Sequence, residues 1–332
     1  MKALVLAAGL GTRLRPITNF IPKPLLPVFG VPIIERNILQ LRDQGIRDFL
    51  VNLHHMPRQI VQRLKDGSSM GVRIRYSLEP TLLGTAGAMK KLEAQLKEAP
   101  FLVVNADTFR PLPLQELLTT HQARGAPVTL LLQENQELSP EKSITLNQAG
   151  EVVGFLDMFQ DRLQDESRRC DFLGVQIMEP EILSMIPPER PWEVHRLYLR
   201  LLETGKGIVG HCQGGYWKDL GSLAAYREIH LDGLEGRGSI GIPGEQIGPG
   251  LWVASDAAMA PDVMLVAPLF VDSHVTVESG ACLGPYTVVG RNCWIGSGAK
   301  VQESILWEEA RIQPGALVLR RLVSPEFTQP WP

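Results

Sequence analysis

The chain has 332 residues, 33 Lys+Arg against 36 Asp+Glu, a formal net charge of -3 and 44% apolar residues. That composition excludes wholesale disorder and argues against a general nucleic-acid or membrane-surface binder, which needs a basic excess. Domains usually run roughly 100–200 residues, so two are expected, or one large one. Four cysteines (Cys170, Cys212, Cys282, Cys293) lack C-x-x-C spacing and are too sparse for a disulfide scaffold. Reduced thiols in a cytoplasmic protein are the expectation.

In chain order, residues 2–8 read as a buried strand ending at Gly9. This apolar run stops too soon before Arg13 and Arg15 to be a signal-peptide core. No stretch approaches the ~18 apolar residues of a membrane span. Further strands are predicted at 49–53, 72–77, 101–105, 128–132, 151–156, 172–177 and 207–211. Helices are predicted at 34–44, 58–65, 86–97, 114–124, 192–203 and 223–231. Alternation of nearly continuous apolar strands with helices predicts a mainly parallel α/β sheet covered on both faces. Glycine then occupies seven of the eighteen positions 233–250, marking a boundary.

From that boundary a six-residue period begins. Ile247, Val253, Met259, Leu265, Val271, Val277, Leu283, Val289, Ile295 and Val301 are all large and apolar. Such a period signals a parallel β-helix, in which each hexad forms one flat side and turns its first residue inward. The register slips near 307–311. Unrelated hairpins would instead show period two and Asn-Gly turns. The expected domains are 1–235 and 239–322.

Residues 1–34 contain Lys2, Arg13, Arg15 and Lys23 and no acid. Small residues at 7, 8, 9 and 11 let backbone N–H groups approach an anion closely, while Arg and Lys supply countercharge. No Gly-Lys-Ser/Thr follows, which excludes a Walker A loop. Leu14 stands where a dinucleotide fingerprint needs its third glycine. The alternative is a tight glycine turn with solvated basic residues; two basic clusters without an acid favour an anion site.

Leu6-Ala7-Ala8-Gly9-Leu10-Gly11-Thr12-Arg13-Leu14, followed by Pro22-Lys23-Pro24-Leu25, resembles the signature of the nucleoside-diphosphate-sugar pyrophosphorylases (sugar-1-phosphate nucleotidyltransferases). Three more segments are similar to family motifs, in the same order. Glu79-Pro80 with Leu83-Gly84-Thr85-Ala86-Gly87-Ala88 resembles the loop that reads the base and helps seat the sugar. Val104-Asn105-Ala106-Asp107 and Gly215-Tyr216-Trp217-Lys218-Asp219-Leu220-Gly221 resemble the two segments that carry metal-binding aspartates. A C-terminal left-handed β-helix is frequent in this family.

The resemblance implies a Rossmann-like catalytic domain plus a left-handed β-helix. It implies the reaction of a nucleoside triphosphate with a sugar 1-phosphate to give an NDP-sugar and pyrophosphate. It assigns Arg13 and Lys23 to catalysis. It assigns Leu6, Ala8, Gly9, Gly11, Thr12, Arg13, Glu79, Gly84, Thr85 and Gly87 to the nucleotide. Asp107 and Asp219 go to Mg²⁺, and Asp157 and Gly174 to the sugar phosphate. The expected pair is GTP with mannose 1-phosphate, similar to mannose-1-phosphate guanylyltransferases, because that activity is often joined to this β-helix. UTP or dTTP with glucose, N-acetylmuramate or another hexose 1-phosphate is the alternative. Expected partners are these substrates and further copies of the chain through the β-helix, with no nucleic acid and no membrane.

The sugar half departs from the family. Its Phe-x-Glu-Lys-Pro reads Phe155-Leu156-Asp157-Met158-Phe159 here, and its Asn-Ala-Gly reads Phe172-Leu173-Gly174. A thioether cannot replace an ammonium on a phosphate. Either another cation (Lys142, Arg168, Arg169 or Lys218) serves the phosphate, or the chain is a catalytically silent regulatory or scaffold homologue. Retention of Arg13, Lys23, Asp107 and Asp219 together favours the enzyme. His274, the one histidine of the repeats, is weak grounds for an acyltransferase. His54 and His55 are adjacent on an extended segment and point to opposite faces, so a shared ion is not expected.

Overall fold

The computed structural model describes residues 1–135, 137–138, 143–155 and 167–331. They form two compact units. One comprises Met1–Gly11, Ile21–Pro24 and Ile34–Trp217; the other comprises Thr12–Phe20, Leu25–Ile33 and Lys218–Pro332. The glycine-rich boundary near 235–239 therefore falls inside the second unit, whose helix before it packs with the coils after it.

The first unit is built on a nine-stranded sheet. Its strands are β1 (Lys2–Leu6), β2 (Asp48–Leu53), β3 (Arg73–Leu78), β4 (Phe101–Asn105), β5 (Val128–Glu134), β6 (Ile144–Leu146), β7 (Val152–Phe155), β8 (Arg168–Met178) and β9 (Ile208–Cys212). The order is β7-β6-β8-β4-β1-β2-β3, with β5 beside β8 and β9 beside β5. Strands β3, β2, β1 and β4 are parallel, as helical crossovers require. Among the described residues, the α-helices longer than four residues are α1 (Ile33–Asp43), α2 (Pro57–Leu64), α3 (Gly84–Lys91), α4 (Leu114–Arg124), α5 (Val194–Glu203) and α6 (Leu223–Leu234). Beyond β4 the sheet becomes mixed, because β8 inserts antiparallel between β4 and β5.

Burial explains the apolar strands. Leu4 and Val5 on β1, Val51 on β2 and Val104 on β4 are 0% exposed, so each face of these strands is covered. The helix predicted at 86–97 breaks at Leu92 into α3 and a short turn Glu93–Leu96. Its start lies earlier than predicted, so the Gly84–Gly87 motif forms the first turn of α3 rather than a free loop.

Within the second unit, the C-terminal residues wind into three parallel walls. One contains Leu251–Val253, Leu269–Val271, Thr287–Val289, Ile305–Leu306 and Arg321–Val323. The others are Ala258–Met259 through Arg311–Ile312 and Met264–Leu265 through Leu317–Leu319. Val271, Val277, Leu283, Val289, Ile295 and Val301 all lie inside at 2% exposure or less, as the hexad period demands.

The ladder differs from the sequence reading at both ends. Ile247 is 58% exposed, on a strand (Glu245–Gly248) that runs antiparallel to Leu251–Val253; the inward ladder starts at Val253. The slip also comes earlier than 307–311. Val289 pairs with Leu306, whereas Val271 pairs with Val289, so one coil is a residue short. A one-residue slip exchanges the two faces of a strand. Leu306 is therefore the core residue, and Trp307 is not. A second antiparallel strand, Thr328–Pro330, pairs the last parallel strand of the same wall; both outer strands of that wall thus have a partner. All four cysteines are free thiols. Among the described residues, no helix is long and apolar enough to cross a membrane.

Truncating Leu283, fully buried, to Ala is expected to cost about 2–5 kcal/mol in urea unfolding of the second unit. Met264→Ala on the same wall, 61% exposed, is expected to stay within ~0.5 kcal/mol. Equal effects would contradict the inward hexad assignment.

Candidate active site

In the first unit, β1 delivers its carboxyl end to the small-residue turn Ala7–Gly11. Ala7 and Ala8 are buried, and Ala106 N–H donates to Leu6 O at 3.2 Å. A Cβ at Gly9 would meet nothing within 4 Å, so this backbone faces open space. Gly11 has φ +62°, a conformation that suits glycine. The turn is braced from beneath. Ala7 N–H donates to Asn52 Oδ1 at 2.8 Å, and Asn52 Nδ2 donates to Glu79 Oε1 at 2.9 Å. Leu83 N–H donates to Glu79 Oε2 at 3.0 Å. Glu79, 1% exposed, thus spends both carboxylate oxygens inside the protein. It links the turn to the start of α3.

Gly84 and Gly87 also serve close packing. Their missing side chains make room for Trp192 and Glu193: Gly87 N–H donates to Trp192 O at 3.0 Å, and Trp192 N–H donates to Leu83 O at 2.7 Å. Thr85 lies between them on the half-buried first turn of α3.

The end of β4 presents Asp107. Lys23 Nζ donates to its Oδ2 at 2.5 Å; Lys23 is 8% exposed, while the Asp107 side chain is 30% exposed. Asn37 Nδ2 donates to Ala106 O at 3.4 Å and steadies the same turn. Behind it lies Arg110, 2% exposed, whose Nη1 donates to Thr108 O (2.9 Å) and Oγ1 (2.7 Å). Burial pushes its guanidinium down to about 9, against the opposing pull of Asp107. Gly174 on β8 has φ +73°, and a Cβ there would press on Asn105 and Thr108 Oγ1 at 3.0–3.1 Å. Glycine is therefore demanded twice at this position.

Asp157, Met158 and Lys142 lie outside the described residues. Two of the proposed replacement cations are engaged within the first unit. Arg169 Nη1 donates to Leu138 O at 2.5 Å, and Arg168 lies 3.8 Å from Glu134.

The second unit carries Thr12, Arg13 and Asp219. Thr12–Leu14 is a single 3-10 turn, and Arg13 Nη2 lies 3.6 Å from Asp219 Oδ2, with the Arg13 side chain exposed and that of Asp219 partly so. A Cβ at Gly221 would meet both Asp219 Oδ2 (2.6 Å) and Arg13 Nη2 (2.9 Å), so the glycine admits the pair. Ser222 then caps α6, accepting from Ala225 N–H at 3.1 Å. Lys218 is held by Glu228 (3.0 Å) and Asp232 (3.5 Å) on α6, which occupies the fourth candidate cation.

Among the described residues, no group of three or more His, Cys, Asp or Glu gathers as a protein-only metal cage. Asp107 and Asp219 are hard-oxygen donors, each partly exposed. That donor chemistry fits Mg²⁺, which binds through one or two carboxylates and keeps water and substrate oxygens as its other ligands.

Sequence reasoning did not find Asn52, Asn37 or Arg110. Asn52 had a signal: it is the one amide in an otherwise apolar stretch of β2. Glu79→Gln would set a donor against either Asn52 Nδ2 or Leu83 N–H. The expected cost is about 1–3 kcal/mol, read as a lower thermal midpoint; an unchanged midpoint would show that this brace does not hold the turn.

Comparison with known proteins places the chain in a family. The family model described as "Nucleotidyl transferase" matches residues 2–236, and that described as "GMPPB C-terminal domain" matches residues 265–328. A UTP–glucose-1-phosphate uridylyltransferase of Synechocystis sp. is 29% identical, over 97% of this chain and 87% of its own length. A mannose-1-phosphate guanylyltransferase of Mycobacterium tuberculosis is 28% identical, over 96% and 83%. Among solved structures, a putative glucose-1-phosphate thymidylyltransferase from Bacillus anthracis shares the fold with a TM-score of 0.58 at 22% identity. It covers 69% of this chain and 93% of its own. With its glycine turn, the Lys23–Asp107 contact and the family model spanning most of its length, the chain belongs to the nucleotidyl transferase family.

Proposed function

We propose that the chain joins GTP to mannose 1-phosphate, forming GDP-mannose and releasing pyrophosphate. Membership of the family makes it a nucleotidyltransferase; the choice of substrates is the finer step. The match of its C-terminal coils to the GMPPB C-terminal domain and the guanylyltransferase relatives support it. The uridylyltransferase relative supports a second reading, UTP with glucose 1-phosphate.

The observation that carries the reaction is the presence of two cation–carboxylate pairs, Lys23–Asp107 and Arg13–Asp219. A triphosphate and a sugar phosphate repel each other, so their reaction needs fixed countercharge and alignment more than covalent help. Asp107 of the first unit and Asp219 of the second would each offer a carboxylate to Mg²⁺, which supplies charge neutralisation at the reacting phosphates. Lys23 and Arg13 donate to phosphate oxygens, and the backbone of Gly9–Thr12 cradles the triphosphate. A sugar-phosphate oxygen attacks the α-phosphorus in line as the bond to pyrophosphate breaks. That oxygen is already anionic near neutral pH, so no side chain has to remove a proton. Glu79 acts from behind, holding the turn and α3 together.

Pyrophosphate release would be measured with Mg²⁺, each of the four NTPs and dTTP, and a panel of sugar 1-phosphates. The expected result is fastest release with GTP and mannose 1-phosphate. Release with UTP and glucose 1-phosphate alone would replace that pair, and no release from folded protein would overturn the reaction. Asp107→Asn is expected to lower kcat at least about 100-fold, the scale of losing one preorganised electrostatic partner.

A further inference from the structure

The β-helix interior is aliphatic, yet the short coil turns an indole outward. Trp307 Nε1 donates to Tyr226 Oη at 2.9 Å, and Tyr226 Oη donates to Pro27 O at 2.6 Å. Both rings are buried, Tyr226 at 0% and Trp307 at 8% exposure. Trp307 also meets Phe327 edge-on at 5.3 Å, and Phe327 stacks on Phe20 at 5.0 Å.

These contacts stay within the second unit and lead to both sides of the Arg13–Asp219 pair. Tyr226 sits in the first turn of α6, where its N–H donates to Ser222 O at 2.9 Å. Asp219 and Gly221, against which Arg13 rests, come just before that cap. Phe20 ends the segment Thr12–Phe20 that carries Arg13. The following hairpin, Pro27–Val28 against Val31–Pro32, turns through Phe29 at φ +48°. That conformation is costly for an aromatic residue and persists only where packing dictates it. Phe29 is wedged between His230 (5.1 Å) on α6 and Phe270 (5.5 Å) on the first wall. Packing alone could be met by aliphatic groups. A buried indole, hydroxyl and carbonyl in series add direction.

We propose that Trp307 and Tyr226 are positioning residues for the Arg13–Asp219 pair, so that the short coil of the β-helix sets the phosphate-binding geometry of its own unit. This rests on the nucleotidyl-transfer reading for its kinetic consequence and on packing alone for its mechanical one. Trp307→Phe keeps the ring and removes the donor. Tyr226→Phe leaves both Trp307 Nε1 and Pro27 O without a partner.

Amide hydrogen exchange of the substrate-free full chain tests the mechanical link. Both variants are expected to speed exchange at least about fivefold in 12–20 and 219–226, with 269–301 unchanged. The affinity for Mg²⁺ plus the NTP that the wild type binds most tightly is expected to fall about five- to tenfold, the scale of one unmade buried hydrogen bond. KM for the sugar 1-phosphate is expected to stay within about twofold. Phe327→Leu, which spares the hydrogen bonds, is expected to loosen 12–20 alone. Unchanged exchange in 12–20, equal acceleration through the coils, or unaltered nucleotide affinity would overturn the proposal. A wild type that releases no pyrophosphate with any pair would refute the reaction, while exchange and nucleotide affinity would still decide the positioning role.

Discussion

A partly buried carboxylate at the end of a strand is held in place only if its charge is answered. Asp107 meets this constraint through Lys23, which is nearly buried and contributes one short charge-assisted hydrogen bond. Much of the first unit's local structure follows from holding this contact at a strand end. Asn37 and Arg110 fix the turn around the aspartate. Gly174 lets β8 pass close beside it, and parallel pairing of β1 with both β2 and β4 brings the glycine turn and the aspartate to the same end of the sheet.

The second unit meets the same constraint more loosely. Arg13 and Asp219 lie 3.6 Å apart, the first exposed and the second partly so, so screening by solvent leaves their resting attraction small. Such a pair gains definition from what surrounds it. Gly221 leaves the space, Ser222 fixes the start of α6, and Tyr226 ties that helix to the coils. The β-helix here has an aliphatic interior and an aromatic outer corner at Trp307 and Phe327. That division lets a regular repeat support an irregular loop.

Much of this was legible in the sequence because it is periodic or compositional. The strand–helix alternation, the hexads from Val253 to Val301 and the glycine turn each leave a pattern set by burial or by backbone freedom. What was not legible depends on pairing across long separations. Glu79 read as a group facing the nucleotide, but its partners Asn52 and Leu83 are known only once β2 and α3 are placed. Trp307 fell where the hexad register was expected to slip, so the sequence did not say which way it faces. Only the pairing of Val289 with Leu306 reveals the missing residue that turns it outward. Arg110 drew no notice in the sequence, since nothing local announces that it is buried. The sugar-side departures at Asp157 and Met158 stand outside the described residues.

The proposed reaction transfers the nucleotidyl group directly between two phosphates held by fixed countercharge, with no covalent link to the protein. Exchange of labelled pyrophosphate into NTP tests it most directly. Exchange is expected only when a sugar 1-phosphate or its NDP-sugar is present, since pyrophosphate can attack only the product. Exchange with NTP and Mg²⁺ alone would reveal a nucleotidyl group carried on the enzyme and would contradict it.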